Sequence, residues 1–85
     1  MQIKLSPEAN KDFVFWQKSG NKTILKKIDN LIDAIIENPK TGIGKPELLK
    51  HNLSGIWSRR IDKEHRIVYL IEEDLITLLS LKGHY

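Results

Sequence analysis

The chain has 85 residues, 40% of them hydrophobic and 29% charged, with a formal net charge of +3. This composition predicts one folded domain, 1–85, with a modest core, because a chain of this length buries roughly 60–65% of its extended surface. It contains no cysteine, which argues against a disulfide framework and a thiolate metal site. The sequence has neither the roughly 20-residue apolar run of a membrane helix nor a signal-peptide core. A cytoplasmic protein without a membrane partner is therefore predicted.

The first predicted elements are a strand and a helix. The opening MQIKL alternates apolar and polar residues, which predicts a half-buried strand. Ser6 is placed to cap a helix that begins at Pro7, because proline suits the first helical position. An apolar stripe follows at helical spacing, and the helix is predicted to end near Gly20. The members of that stripe are Ala9, Phe13 and Trp16.

The second predicted helix has a regular apolar face and an unusual charge distribution. Asn21 is placed to cap it, and it is predicted to end at Asn38-Pro39. Its apolar face consists of Ile24, Ile28, Leu31, Ile32 and Ile35. Its N-terminal end carries Lys22, Lys26 and Lys27. Cations at this end oppose the helix dipole by about 0.3 kcal/mol or more each, so they are either ordinary solvated side chains or contacts to a phosphate backbone.

A loop and three strands complete the pattern. Residues 39–47 contain two glycines and two prolines, which predicts a loop. Three strand-like runs follow, IWSRRI, HRIVYLI and LITLLSL, and their short connections predict antiparallel pairing. The last two runs are apolar on both faces, which is typical of central strands. The predicted fold class is therefore α+β: an N-terminal strand, a two-helix hairpin and an antiparallel β-meander, with the helices packed on one face of the sheet.

The titratable residues of the loop and strands indicate acid–base chemistry around an anion. All three arginines, Arg59, Arg60 and Arg66, lie within eight residues, and a guanidinium binds phosphate bidentately. A nucleophile motif is lacking, and the histidine spacing does not suit a metal site, so neither a metal nor another cofactor is predicted. A carboxylate, an imidazolium and a guanidinium suit cleavage of RNA, whose 2′-OH lies beside the scissile phosphate. The same residues in a plain core would be salt bridges and hydrogen-bonded histidines, so both interpretations stay open at this point.

One long motif resembles a known family. The stretch GKPELLKHNLSGIWSRRIDKEHRIVYLI, residues 44–71, together with the terminal HY, resembles the YoeB family of toxins within the RelE superfamily of toxin–antitoxin ribonucleases. FVFWQ in the first helix and KKI in the second also fit, so the resemblance covers nearly the whole chain. It implies a RelE-like microbial RNase fold. It also implies a ribosome-dependent endoribonuclease that cleaves mRNA in the A site and inhibits translation.

The resemblance implies roles for individual residues as well. The family's general base falls on Glu47, its phosphate-contacting arginine on Arg66, and its general acid and the following aromatic on His84 and Tyr85. The matching positions expected to bind substrate are Lys50, His51, Arg59 and Arg60. The sequence departs from the family at Leu48 and in the LKG before His84, and neither departure falls on a proposed catalytic group.

The remaining aromatic and charged residues divide into core and surface. Trp16 and Trp57 are predicted to be core residues, whereas Glu64 and His65 lie beside a tight turn and are predicted to be solvated. The candidate contacts to ribosomal RNA are Lys22, Lys26 and Lys27.

Partners follow from the resemblance, and other functions remain open. A cognate YefM-like antitoxin, the ribosome and mRNA, and a second copy of the chain are the implied partners, with operon DNA bound only through the antitoxin complex. From the residues alone, a ribosome- or RNA-binding module without catalysis would use the same arginines and lysines. An antitoxin or enzyme inhibitor is disfavoured, because the chain is basic and compact.

Overall fold

The computed structural model describes residues 2–49 and 55–83 of the chain. Within them, two helices and five strands follow in the order β1 (Gln2–Leu5), α1 (Pro7–Ser19), α2 (Lys22–Glu37), β2 (Glu47–Leu48), β3 (Ile56–Arg60), β4 (Arg66–Glu72) and β5 (Leu75–Ser80). The predicted strand, helical hairpin and three-strand meander are present, which confirms the α+β class. The two-residue strand β2, at the end of the predicted loop, was not expected. No helix in the described residues is long and apolar enough to cross a bilayer.

Both helices begin and end where local chemistry predicts. The Ser6 hydroxyl accepts a hydrogen bond from the Ala9 amide at 3.1 Å and donates one to the Leu79 carbonyl at 3.1 Å, so the cap of α1 also ties it to β5. Gly20 ends α1 in the left-handed conformation with φ 72°, which glycine adopts without steric cost. Asn21 caps α2 by accepting from the Ile24 amide at 3.1 Å. The two predicted caps are confirmed.

The sheet is mixed, with strand order β1-β5-β4-β3-β2. Strands β3, β4 and β5 pair antiparallel as the short connections predict, and β4 and β5 occupy the interior of the sheet. Strand β1 pairs in parallel with β5. A parallel pair needs a long crossover connection, and the whole chain between β1 and β5 supplies it.

The core lies between the helices and one face of the sheet. In the strand register, Trp57 of β3 stands opposite Tyr69 of β4, and Tyr69 stands opposite Leu78 of β5. All three belong to the core cluster or pack against it, which identifies this row as the helix-covered face. The helices contribute Ala9, Trp16, Ile24, Ile28, Leu31 and Ile35 to the same cluster. The prediction that Trp16 is a core residue is confirmed, and Trp57 is partly buried and packs against the core.

A β-bulge in β5 changes the direction of the chain beyond that strand. Val68 pairs with Ser80 while Tyr69 pairs with Leu78, so Leu79 is an extra residue on β5. Leu78 and Leu81 are both fully buried core residues, although strict alternation would place residues three apart on opposite faces. The bulge restores Leu81 to the core face, and the Gly83 carbonyl accepts a hydrogen bond from the Arg66 amide at the start of β4. Bulges are frequent where a strand end must be re-aimed.

Candidate active site

Glu47 and Arg66 come together on the sheet face opposite the helices. Glu47 stands opposite Ser58 of β3, and Ser58 stands opposite Val68 of β4, so the three share one face. Arg66 lies two residues before Val68 and therefore projects from that face too. Its Nη1 lies 3.7 Å from the Glu47 Oε2. The predicted base and the predicted phosphate-binding arginine are thus neighbours.

The two side chains differ in exposure. The Glu47 side chain is 56% exposed, whereas that of Arg66 is 21% exposed. An ion pair at this separation and exposure contributes only about 0–1 kcal/mol, so a phosphate can displace the carboxylate from the guanidinium at little cost. The Glu47 carboxylate is accessible to an incoming proton donor. The Arg66 guanidinium beside it is largely shielded from solvent and points toward that carboxylate.

Ser58 also lies at the site, although it was not predicted from the sequence. It is fully buried, and its Oγ accepts a hydrogen bond from Arg66 Nη1 at 3.2 Å. The same nitrogen therefore contacts both Ser58 and Glu47. The signal in the sequence was a small polar residue in an otherwise bulky strand, IWSRR. Its meaning depends on register, because only strand pairing places Ser58 between Glu47 and Arg66.

A strained turn delivers Glu47 to the sheet edge. Gly44 and Lys45 both have positive φ, 83° and 53°, and Lys45 is the only non-glycine residue in that region among residues 2–49 and 55–83. The Gly44 carbonyl accepts a hydrogen bond from the Arg60 amide at 2.7 Å. A Cβ on Gly44 would lie 2.7 Å from Leu31 Cδ2, so the turn fits against α2 only because that residue is glycine. The backbone that precedes Glu47 is consequently held by both β3 and α2.

Arg59 does not face the site, which corrects the prediction that it binds substrate. It is fully buried on the core face. Its Nε donates to the Tyr69 hydroxyl at 3.0 Å, and the Tyr69 hydroxyl donates to the Pro39 carbonyl at 2.7 Å. Its terminal nitrogens donate to the carbonyls of Asn38, Thr41 and Ile43 at 2.6–3.1 Å. Because neighbouring strand residues point to opposite faces, Arg59 faces the core while Ser58 faces the site. Its hydrogen bonds to three backbone carbonyls hold the loop that leads to Glu47.

Tyr69 shares this buried network. Burial raises the pKa of the Tyr69 phenol above its ordinary 10.0, while the hydrogen bond from Arg59 and the charge of Arg59 act in the opposite direction. The neutral phenol is the form that donates to Pro39. The loop between α2 and β2 is thus stabilised by an uncharged phenol and a buried guanidinium.

His65 is not simply solvated, which corrects a second prediction. Its side chain is half-buried, and its ring meets Trp16 edge-to-face with centroids 4.8 Å apart. Its Nδ1 accepts a hydrogen bond from the Gly83 amide at 2.9 Å. The neighbouring Glu64 is exposed, as predicted. The imidazole therefore connects the β3–β4 turn to α1 and to Gly83.

The chain matches a known family over almost its full length. The model of that family, described as the YoeB-like toxin of bacterial type II toxin–antitoxin systems, matches residues 5–85. The chain belongs to the YoeB-like toxin family. The YoeB toxin of Escherichia coli is 46% identical over 85 residues, which is 100% of both chains.

Solved structures of the family agree with this assignment. A YoeB dimer from Staphylococcus aureus superimposes with a TM-score of 0.89 at 44% identity, covering 100% of this chain and 98% of that one. A YoeB–YefM complex from the same organism gives a TM-score of 0.86 at 45% identity, with the same coverage. The resemblance to YoeB toxins within a RelE-like fold is therefore confirmed.

In this YoeB-like toxin two adjoining cavities form a basic groove beside the site. A cavity of about 350 Å³ is lined by Lys27, Gly44, Lys45, Arg60, Ile61, Asp62 and Lys63. A second cavity of about 540 Å³ is lined by Asn21, Thr23, Ile24, Lys26, Lys27, Asn30, Ile61 and Asp62. They share Lys27, Ile61 and Asp62, and neither includes Glu47 or Arg66. The groove runs from the start of α2 to the turn that precedes Glu47.

The groove contains some of the cations that the sequence singled out. Arg60, Lys26 and Lys27 all line the groove and are exposed. Lys22 is exposed on α2 but does not line either cavity. Lys45 and Lys63 join them and were not predicted. Four cations and one carboxylate line the smaller cavity, a charge balance suited to a polyanion.

Four predicted site residues lie outside the described residues: Lys50, His51, His84 and Tyr85. Within residues 2–49 and 55–83, no group of three or more side chains could hold a metal ion.

Proposed function

We propose that this toxin is a ribosome-dependent endoribonuclease that cleaves mRNA in the A site and thereby inhibits translation. The observation that carries the proposal is the accessible Glu47 carboxylate 3.7 Å from a sheltered Arg66 guanidinium. A basic groove that reaches the turn before Glu47 supports it. A carboxylate beside a guanidinium can remove a proton from a hydroxyl while the adjacent cation stabilises negative charge on phosphorus.

The proposed chemistry is an intramolecular transfer within RNA. Glu47 takes the proton of the 2′-OH, whose oxygen then bonds to phosphorus, while Arg66 stabilises the charge that develops on the phosphoryl oxygens. His84 gives a proton to the departing 5′ oxygen, and Tyr85 stacks on a base, which contributes roughly 1–3 kcal/mol. The products are a 2′,3′-cyclic phosphate, or the 3′-phosphate after its hydrolysis, and a 5′-hydroxyl end. This route requires no metal ion and cannot operate on DNA.

The basic groove is the proposed path of the nucleic-acid backbone. Lys45 and Arg60 stand at the end near Glu47, and Lys26 and Lys27 stand at the other end. We assign Arg60 to the substrate, together with Lys50 and His51. Lys26 and Lys27, with Lys22 on the same helix, are the proposed contacts to ribosomal RNA. Arg59 is omitted from this set because it is buried.

The proposed partners follow from relatives of known assembly. Staphylococcus aureus YoeB is found as a dimer and in a complex with YefM. By extension, this toxin is inhibited by a cognate YefM-like antitoxin, self-associates, and binds operon DNA only through the antitoxin complex. Its action on ribosomes places it in the cytoplasm.

Primer extension on an mRNA in a purified translation system tests the proposal. The wild-type protein is compared with Glu47→Gln and with Glu73→Gln, a matched change in the exposed β4–β5 turn. Ribosome-dependent cleavage that falls by about 10²–10⁴ in Glu47→Gln alone is the expected result. Equal cleavage by all three proteins would assign the base to another group. Translation arrest with intact mRNA would replace the nuclease with a non-catalytic ribosome-binding module.

A further inference from the structure

The residues that follow β5 are anchored to α1. The Leu81 amide donates to Asp12 Oδ2 at 2.9 Å, and the Leu81 carbonyl accepts from Trp16 Nε1 at 2.8 Å. Leu81 is itself fully buried in the core. Both backbone polar groups of this residue are therefore bound by side chains of one helix, two residues before the chain reaches Gly83.

Gly83 is anchored to the start of β4. Its amide donates to His65 Nδ1 at 2.9 Å, and its carbonyl accepts from the Arg66 amide at 3.0 Å. Gly83 has φ 84°, a conformation that a residue with a side chain adopts only with strain. The glycine that directly precedes His84 in the sequence is thus bound to Arg66 through its backbone and to His65 through an imidazole.

Both the ring and the backbone of His65 are held by several contacts. Its Nδ1 accepts a hydrogen bond, so in the neutral ring the proton is on Nε2. The His65 amide donates to Asp62 Oδ1 at 2.7 Å, and its carbonyl accepts from the Ile61 amide at 2.9 Å. The ring makes an edge-to-face contact with Trp16, whose own Nε1 donates to the Leu81 carbonyl. One aromatic pair therefore supports both attachment points of the segment 81–83.

We infer that His65 is a positioning residue for the cleavage reaction. Through its hydrogen bond to Gly83 it fixes residue 83 relative to Arg66, and so fixes the backbone position from which the chain continues to His84. His65 touches no reacting atom in this assignment. The inference rests on the proposed function, in which His84 protonates the leaving oxygen. Positioning matters for this step because an acid misplaced by about 1 Å loses roughly 10²-fold in rate.

Two substitutions separate this role from a purely structural one. Asn places its Oδ1 where His65 carries Nδ1 and can accept from Gly83, whereas Leu cannot. Both substitutions remove the edge-to-face contact with Trp16. If His65 serves only stability, His65→Asn and His65→Leu are impaired alike. If it positions the end of the chain, Asn rescues activity and Leu does not.

The decisive measurement is the single-turnover cleavage rate on mRNA-programmed ribosomes at saturating toxin. His65→Leu is expected to lower that rate about 10–10²-fold with ribosome affinity unchanged, and His65→Asn to stay within about 3-fold of wild type. In a His84→Gln background, His65→Leu should produce no additional loss. Wild-type rates in His65→Leu, equal losses in both variants, or a full further loss in the His84→Gln background would overturn the inference.

Amide exchange on the free protein separates failure of the inference from failure of the proposed function. The Gly83 amide is expected to exchange faster in His65→Leu than in wild type or His65→Asn. Unchanged exchange in His65→Leu would refute the anchor even if the wild-type protein cleaves mRNA. A wild-type protein that does not cleave mRNA would refute the proposed function, and with it any catalytic role for an anchor that exchange still detects.

Discussion

Arg66 of β4 reaches Glu47 of β2 across an intervening strand, with 3.7 Å between its Nη1 and the Glu47 Oε2. The residue beneath the contact is Ser58 of β3, whose hydroxyl accepts from the same nitrogen at 3.2 Å. Strands β2, β3 and β4 must therefore align in one register for Glu47 and Arg66 to meet. A one-residue slip of β2 would direct Glu47 to the other face of the sheet.

Ser58→Ala is expected to slow cleavage about 10-fold, because Arg66 loses the neutral acceptor that directs it toward Glu47. The free energy of unfolding should fall by only about 1 kcal/mol, the typical loss for one hydrogen bond. Single-turnover cleavage and urea unfolding measure the two effects. Ser80→Ala on β5 is the matched control. A wild-type cleavage rate in Ser58→Ala would show that Arg66 needs no support from β3.

Arg59→Met and Arg60→Met are expected to have opposite consequences, although the residues are adjacent. Arg59→Met leaves the carbonyls of the loop before β2 without their buried donor and should lower the free energy of unfolding by about 3 kcal/mol or more. Arg60→Met changes an exposed residue of the basic groove and should alter stability by no more than about 0.5 kcal/mol while weakening RNA binding. Urea unfolding followed by circular dichroism tests the first effect. Equal stability of the two variants would contradict the buried role of Arg59.

The stability of the toxin should fall above pH 10 in a way that depends on Tyr69. Because burial raises the pKa of this phenol, the unfolded chain loses the proton first as pH rises past 10.0. The stabilising contribution is then complete below the unfolded pKa and is lost as pH rises through the folded pKa. Tyr69→Phe should be less stable at pH 8, because the Pro39 carbonyl loses its donor, but should lose less stability per pH unit above 10. Parallel slopes in urea unfolding between pH 8 and 11 would refute this.

The basic groove should contribute to the salt dependence of RNA binding. Replacing Lys27, Lys45 and Lys63 together by Gln should weaken binding and reduce the slope of log affinity against log salt by about 0.7 for each phosphate that the toxin no longer neutralises. A Glu47→Gln background prevents cleavage during the measurement. Replacing Lys4, Lys11 and Lys18 by Gln makes the same change in net charge away from the groove. Equal effects of the two triple variants would show that the groove lysines contribute only through the net charge of the protein.

Separate titrations can identify which nucleic acid occupies the groove. One uses a single-stranded RNA oligonucleotide, and the other uses ribosomes without mRNA. Weaker binding confined to the oligonucleotide would assign the groove to mRNA, and weaker binding confined to the ribosome would assign it to ribosomal RNA.

The sequence by itself determined both helices, four of the five strands and the family of this protein. Ser6 and Asn21 cap their helices through amides only three residues away, so these boundaries depend on local chemistry. The apolar period of α2 and the apolar runs of β4 and β5 predicted the helical hairpin and the central strands. The motif around Glu47 and Arg66 indicated the family before any distance was known.

Only the tertiary structure decided which of the charged residues face the site. Arg59 and Arg60 are chemically identical neighbours, and strand alternation requires that they face opposite ways, but the packing of α2 determines which face is buried. Ser58 acquires its role from partners on β2 and β4, and His65 from Gly83, 18 residues further along the chain. These contacts depend on register, on a bulge and on the burial of one face. Such relationships join residues distant in sequence, and no local pattern of residues contains them.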